Sequence, residues 1–239
     1  DLDAAKRNNV IVVNTPGRNA VGVAEMVVGM MISVSRNFYK GEKMIRDGGW
    51  TEDYYFKSFG TELDGSTVGF VGFGNVAKET AKRLSAFNMR ILAYDPYVSA
   101  ETMKEYGAEK TEDLKKLVSE SDYVSNHLPV TPDTRGMLDK ELLSNMKETA
   151  YFINSARTAT TNEEDVLDLL RVELIAGAAF DVYGKVPLSA DSPYLELENT
   201  ELLGHIGGST YNAIAKHSKM CFEAVRAFTE NTKIDNRVV

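Results

Sequence analysis

Residues Thr67-Val68-Gly69-Phe70-Val71-Gly72-Phe73-Gly74-Asn75-Val76-Ala77 decide how this chain is read. An apolar, β-prone run passes directly into Gly-x-Gly and then into a helix-forming stretch, with alanine in the third small position. Gly72 permits the tight turn, Gly74 lets backbone approach a pyrophosphate, and Ala77 allows close helix-to-strand packing. The free N–H groups at the helix start, at Asn75 and Val76, suit phosphate oxygens, as does the positive end of the helix dipole. Alone, such a glycine pattern fits a tight turn in any α/β protein. Asp95 strengthens it. It lies roughly 20 residues past the glycines, beside Pro96, where a second strand from Arg90 to Tyr94 ends. A carboxylate there can accept both ribose hydroxyls of NAD and repels the extra phosphate of NADP.

Working outward, strands and helices alternate. The pattern predicts strands over 67–71, 90–94, 122–126, 150–154, 175–181 and 201–203, and helices over 76–87, 111–118, 140–146 and 163–171. Such alternation implies a Rossmann-type, doubly wound parallel sheet of the α/β class. Before it, the β-branched run Val10 to Val13 predicts a buried strand. Three-to-four spacing from Ala20 predicts one long helix reaching the Gly48-Gly49 break. An aromatic arm follows from Trp50 to Phe59, and a last amphipathic helix is predicted over 211–229.

Composition narrows the function. The 239 residues carry a net charge of −8, which disfavours nucleic acid and anionic membrane as partners, since both need a basic surface. The most apolar stretch, Ala20 to Val34, is too short for a bilayer and is interrupted by Glu25. The single cysteine, Cys221, fits a reducing, cytoplasmic setting and a role as apolar filler. The chain opens at Asp1 and runs almost at once into an apolar strand, which reads as the middle of a longer protein.

Several further motifs, in order, resemble the D-isomer-specific 2-hydroxyacid dehydrogenase family along essentially the whole chain. They are Asn14-Thr15-Pro16-Gly17-Arg18-Asn19-Ala20 with Val23-Ala24-Glu25, His127-Leu128-Pro129 with Thr131 to Thr134, Phe152-Ile153-Asn154-Ser155-Ala156-Arg157, Gly177-Ala178-Ala179-Phe180-Asp181-Val182, and His205-Ile206-Gly207-Gly208-Ser209-Thr210. The resemblance implies that residues 1–19 are a remnant of a flavodoxin-like substrate domain. It implies a Rossmann domain binding NAD over 20–204, and a histidine loop with a returning helix over 205–239. It also implies cofactor contacts at Gly72, Gly74, Asn75, Val76, Asp95, Pro96, His127, Leu128, Pro129, Thr134, Ser155, Ala156, Gly207 and Gly208, with Asp181 on the nicotinamide carboxamide. The helix from Ala20 and the aromatic arm resemble the family's homodimer interface.

The resemblance implies Arg157 and His205 as catalytic residues. A guanidinium pairs with an α-keto carboxylate in two-point geometry. Hydride leaves C2 cheaply only if the hydroxyl proton leaves too, and imidazole suits that transfer near neutrality. Alone, a histidine after a strand is more often a loop residue, and an arginine there often caps a neighbouring helix. The other histidines differ, since His217 sits mid-helix without an evident partner.

Three departures bear on activity. Val186 stands where the family places the glutamate that orients the histidine, and relatives acting on formate resemble this site with a neutral amide there. Valine cannot accept an imidazole N–H, so turnover is expected to be low. The family's substrate half normally precedes the first residues of this sequence, so the chain is either a fragment or a form that has lost that half. Thr158 and Leu203-Gly204 replace the family's usual glycine and Thr-Pro. The leading reading is hydride transfer between NAD(H) and a small D-2-hydroxyacid or 2-keto acid. The alternative, favoured by Val186, is an NAD-sensing, corepressor-like interaction protein. Metal or phosphoryl-transfer chemistry is disfavoured by three scattered histidines and no Walker lysine, and no metal site is expected.

Overall fold

The computed structural model describes residues 1–49 and 59–239. Its centre is β1 (Thr67–Val71), whose last four residues are buried. β1 pairs in parallel with β2 (Arg90–Tyr94) on one side and β4 (Tyr123–Asn126) on the other. The sheet extends through β3 (Ala108–Lys110), β5 (Tyr151–Asn154), β6 (Gly177–Phe180) and β7 (Thr200–Leu202). It forms seven parallel strands in the order β3-β2-β1-β4-β5-β6-β7. The order reverses beside β1, so the chain leaves β1 and β4 in opposite directions and opens a crevice at their carboxyl ends.

Successive side chains of a strand point to opposite faces, and the two cores follow that period. Val68, Phe70, Ile91, Ala93 and Ile153 face α2 (Ala20–Ser35) and α4 (Asn75–Leu84). Val71, Leu92, Val124, Phe152 and Ala178 face α6 (Leu114–Glu120), α7 (Lys140–Leu143) and α8 (Glu163–Arg171). Arg83 of α4 reaches Glu25 of α2 at 3.0 Å. No single helix among the described residues is long and apolar enough to cross a membrane.

The expected single helix after Ala20 is in fact two. α2 stops at Ser35, and α3 (Phe38–Arg46) departs at 67° after Asn37, which takes a left-handed φ of 55°. Asparagine tolerates that region better than other side chains, and the free carbonyl of Ser35 accepts the Thr61 N–H at 3.0 Å. Val10 to Val13 is not a buried strand. Val10 is 53% exposed, and the only bridge in this run joins Val13 to Arg237 in antiparallel pairing near the two chain ends. A β-branched run signals extended backbone without saying what it pairs with. α5 (Ala100–Glu105) and β3 were not anticipated, and the helix expected over 140–146 has only its first turn. The aromatic arm falls on residues 50–58, outside the described residues; Phe59 is 75% exposed.

Beyond β7, α9 (Tyr211–Thr229) lies beside the extended segment that follows α1 (Leu2–Arg7), and the two line one apolar groove. His217, for which the sequence named no partner, has one here: its Nδ1 lies 3.1 Å from Thr15 Oγ1, and Nε2 lies 3.7 Å from Cys221 Sγ. Cys221 is half-buried beside an apolar groove shared with Ile11, Val13 and Phe228.

Two consequences can be measured. A Cβ on Gly69 would run into Ser121 Oγ and stand 2.5 Å from Leu117 Cδ2, so Gly69→Val forces α6 off β1. Such overpacking costs about 1–3 kcal/mol, and a melt should move down by about 2–12 °C; an unchanged Tm would mean α6 yields freely. His127 packs edge-on to Phe70 with ring centroids 5.1 Å apart, and burial pushes its pKa from 6.5 down to about 3. The unfolded chain therefore takes up this proton near pH 6.5 and the folded chain only near 3, so stability falls as pH drops through that window. His127→Gln should flatten the Tm profile between pH 7 and about 5, where carboxylates contribute little; an unaltered slope would contradict the neutral ring.

Candidate functional site

Because all the strands run one way in continuous register, their carboxyl ends form a rank. Val71 lies opposite both Tyr94 and Asn126, Asn126 opposite Asn154, and Asn154 opposite Phe180. The next residue of each strand is therefore Gly72, Asp95, His127, Ser155 or Asp181, and these positions share one edge of the sheet. Five of the residues singled out in the sequence come together by this alignment alone.

The glycine loop fits its assigned task. Gly72 has a φ of 91°, and a Cβ on it would stand 3.0 Å from the carbonyl of His127, so β4 and its following loop can close against it. Gly74 is extended at the N-cap of α4, with nothing within 4 Å of the Cβ position. The first turn of α4 carries no acidic residue, so the N–H groups there face outward without an internal counter-charge. Ala77 is fully buried under the sheet.

Asp95 does something the sequence did not announce. Its Oδ2 accepts the Phe73 N–H at 2.9 Å and its Oδ1 accepts the Tyr97 N–H at 2.9 Å, so the carboxylate stitches the glycine loop to the end of β2. An ionised carboxylate has about four acceptor sites, which leaves capacity for two hydroxyl donors. Pro96 beside it is exposed.

A buried polar network holds the next two loops. Asn126 Nδ2 donates to Asn154 Oδ1 at 3.1 Å and to Thr160 Oγ1 at 2.8 Å, while its Oδ1 accepts the Leu128 N–H at 3.1 Å. Asn154 Oδ1 also accepts the Ala156 N–H at 3.2 Å, and Thr160 Oγ1 donates to the Arg157 carbonyl at 2.8 Å. These contacts fix the approach to Arg157, whose own side chain is exposed and donates to the Ala156 carbonyl at 2.7 Å. His127 Nε2 lies 2.9 Å from Ser125 Oγ. Thr134 Oγ1 donates back to the Pro129 carbonyl at 2.5 Å and accepts the Thr131 N–H at 2.8 Å, closing the loop it belongs to. Ser155 Oγ is buried and without a partner among the described residues, on the same edge as Gly72 and Asp181.

The histidine loop hangs from Asp181. This carboxylate is 2% exposed, and its two oxygens accept the N–H groups of Ile206 at 2.8 Å and Gly207 at 2.9 Å. Gly207 is wedged so closely that a Cβ would stand 2.7 Å from Met26 Cε, and one on Gly208 would lie 3.1 Å from Asn19 Nδ2. His205 is exposed and takes a left-handed φ of 59°. Val186 is 63% exposed and offers no acceptor. Glu163 accepts the Gly184 N–H at 3.2 Å and the Tyr194 hydroxyl at 2.7 Å, which secures the segment leading to Val186.

Sequence reasoning missed Ser125, Asn126, Asn154 and Thr160 as the scaffold of the site. The available signal was asparagine ending a strand that is otherwise apolar, twice over, and a buried amide there needs partners. The residues present fit a dinucleotide. An orphaned buried hydroxyl at Ser155, open space before Gly74 and a helix start free of acidic residues all face the crevice where a pyrophosphate and nicotinamide would lie. Among the described residues no cluster of three metal-binding side chains occurs.

Comparison with known proteins points the same way. Residues 28–207 match the family model described as D-isomer specific 2-hydroxyacid dehydrogenase, NAD binding domain. The chain is 37% identical over 215 residues to glyoxylate reductase of Thermofilum pendens, covering 89% of this chain and 63% of that protein. It is 36% identical over 213 residues to D-3-phosphoglycerate dehydrogenase of Archaeoglobus fulgidus, covering 89% of this chain and 40% of that one. It thus spans less than two thirds of either relative's length. Among solved structures, NAD-dependent formate dehydrogenase from Staphylococcus aureus, in complex with NAD, superposes on the whole chain and 71% of its own length, with a TM-score of 0.85 and 30% identity. With the family match spanning the sheet and its crevice, this chain belongs to the D-isomer specific 2-hydroxyacid dehydrogenase family, whose NAD-binding domain it carries.

Proposed function

We propose that the protein is an oxidoreductase that moves a hydride between NAD(H) and a small D-2-hydroxyacid or 2-keto acid. The observation that carries this reading is the rank of Gly72, Asp95, His127, Ser155 and Asp181 along the carboxyl edge of the sheet, with the His205 loop bonded to Asp181. NAD, when bound, supplies or accepts the hydride. Gly72, Gly74 and the N–H groups of Asn75 and Val76 hold the pyrophosphate, and Asp95 accepts the ribose hydroxyls. Pro96, Leu128, Pro129 and Thr134 shape the cofactor crevice. Ser155, Ala156, Gly207 and Gly208 line its nicotinamide end beside Asp181.

Arg157 holds the substrate carboxylate and carbonyl, and the permanent charge of its guanidinium favours the developing alkoxide. His205 gives a proton to the 2-oxygen in reduction and takes it back in oxidation. Residues 20–204 serve the cofactor, while 1–19 and 205–239, joined through His217 to Thr15 and Lys216 to the Gly17 carbonyl, serve the substrate side. We assign the protein to the cytoplasm, where the lone thiol of Cys221 stays reduced. We also read it as a homodimer, with exposed Phe38, Tyr39, Ile45 and Phe59 as the apolar surface a second copy would cover.

The second reading, an NAD-responsive interaction protein with little turnover, is favoured by Val186. Its aliphatic side chain, 63% exposed, cannot accept an imidazole N–H.

Two measurements separate these. NADH titration followed by fluorescence should show saturable binding that Asp95→Ala weakens at least tenfold, about 1.4 kcal/mol, through lost ribose contacts and a loosened glycine loop. Absence of binding would remove both readings. A panel of 2-keto acids should then oxidise bound NADH, and His205→Gln should lower kcat by about 10²- to 10⁴-fold without altering NADH affinity. Binding without turnover, on any keto acid, would favour the interaction protein.

A further inference from the structure

One short segment fastens the His205 loop on both sides. Downstream of the histidine, Asp181 accepts the N–H groups of Ile206 and Gly207. Upstream, the Tyr183 hydroxyl donates to the Leu203 carbonyl at 2.7 Å, while the Leu203 N–H donates to the Phe180 carbonyl at 2.8 Å. Asp181 and Tyr183 are two positions apart, and His205 lies between the points they grip.

That arrangement matters because His205 has a φ of 59°. A non-glycine residue in the left-handed region costs roughly 1–2 kcal/mol and persists only when its surroundings over-determine it. Here the usual means of orienting the imidazole is absent, since Val186 is aliphatic and exposed. The direction in which the imidazole leaves the backbone therefore depends on how firmly the loop is held from Leu203 to Gly207.

We propose that the Tyr183 hydroxyl is a positioning group for His205, acting with Asp181 to hold the histidine loop in its left-handed conformation. The Tyr183 ring sits edge-on to Tyr194 with centroids 5.2 Å apart, and Tyr194 in turn packs on Phe180 at 5.0 Å. The phenol is thus anchored on the body of the domain, and its proton, not its bulk, reaches the loop. Burial pushes the pKa of this phenol up to about 12, so it remains a donor at every pH at which the enzyme works. The side chain reaches the reaction only through the backbone of the loop.

This inference rests on the proposed role of His205, and its test is built to fail separately from that role. Tyr183→Phe removes the donor and keeps the ring packing. In NADH-dependent reduction of 2-keto acids it should lower kcat about tenfold, with NADH Kd and keto acid KM changed by less than about twofold. In a His205→Gln background the same change should cost nothing further, because a group acting through the histidine has nothing left to position. An unchanged kcat, or an equal loss in both backgrounds, would overturn the proposal and leave the hydride-transfer reading standing. If no keto acid is turned over, that reading fails and amide hydrogen exchange decides the clamp. Exchange at Ile206 and Gly207 should quicken at least tenfold in Tyr183→Phe relative to Phe152 and Ile153 of β5, and unaltered protection would overturn it.

Discussion

Parallel pairing in continuous register is the constraint on which the rest depends. β1 lies between β2 and β4, and the register that sets Val71 against Tyr94 also sets it against Asn126. Neighbouring strands lie about 4.8 Å apart, so the residue after each strand emerges within one strand spacing of the next. A slip of one residue would turn Phe70 and Ile153 out of one core and Val71 and Phe152 out of the other. Packing of both faces thus holds the alignment that the crevice needs.

The edge of a parallel sheet ends in backbone donors and acceptors that must be satisfied before any ligand arrives. This chain meets the need with side-chain oxygens from the strand ends themselves. Asp95 takes N–H groups of Phe73 and Tyr97, Asn126 that of Leu128, Asn154 that of Ala156, and Asp181 those of Ile206 and Gly207. Hydrogen bonds to an ionised acceptor contribute about 1.5–3 kcal/mol each. The two aspartates therefore shape the loops as well as facing the proposed ligand. Preorganisation of this sort lowers the ordering cost of binding, because the loops are held before the cofactor enters.

Val186 separates two properties that a glutamate would combine. A carboxylate beside His205 would orient the ring and favour its protonated form. The bonds from Asp181 and Tyr183 can supply orientation through the backbone, in place of a direct contact to the imidazole. The choice between the two proposed readings thus turns on the side chain at position 186, with the fold common to both.

By itself the sequence determined the sheet class and the glycine loop, and marked Asp95, Arg157, Asp181 and His205 as candidates, because these depend on local pattern: period-two burial, glycine where a turn or a close approach needs it, and motifs in fixed order. It also marked the departure at Val186. What only the tertiary structure decided was non-local. The break of the first long helix at Asn37 depends on Thr61 meeting the Ser35 carbonyl, and Val13 finds its partner at Arg237. The amides of Asn126 and Asn154 meet only once two strands are in register, and Tyr183 reaches Leu203 only once β7 lies beside β6. A hydrogen bond between segments far apart in the chain leaves no periodicity in either of them, so its existence is settled by packing and not by composition.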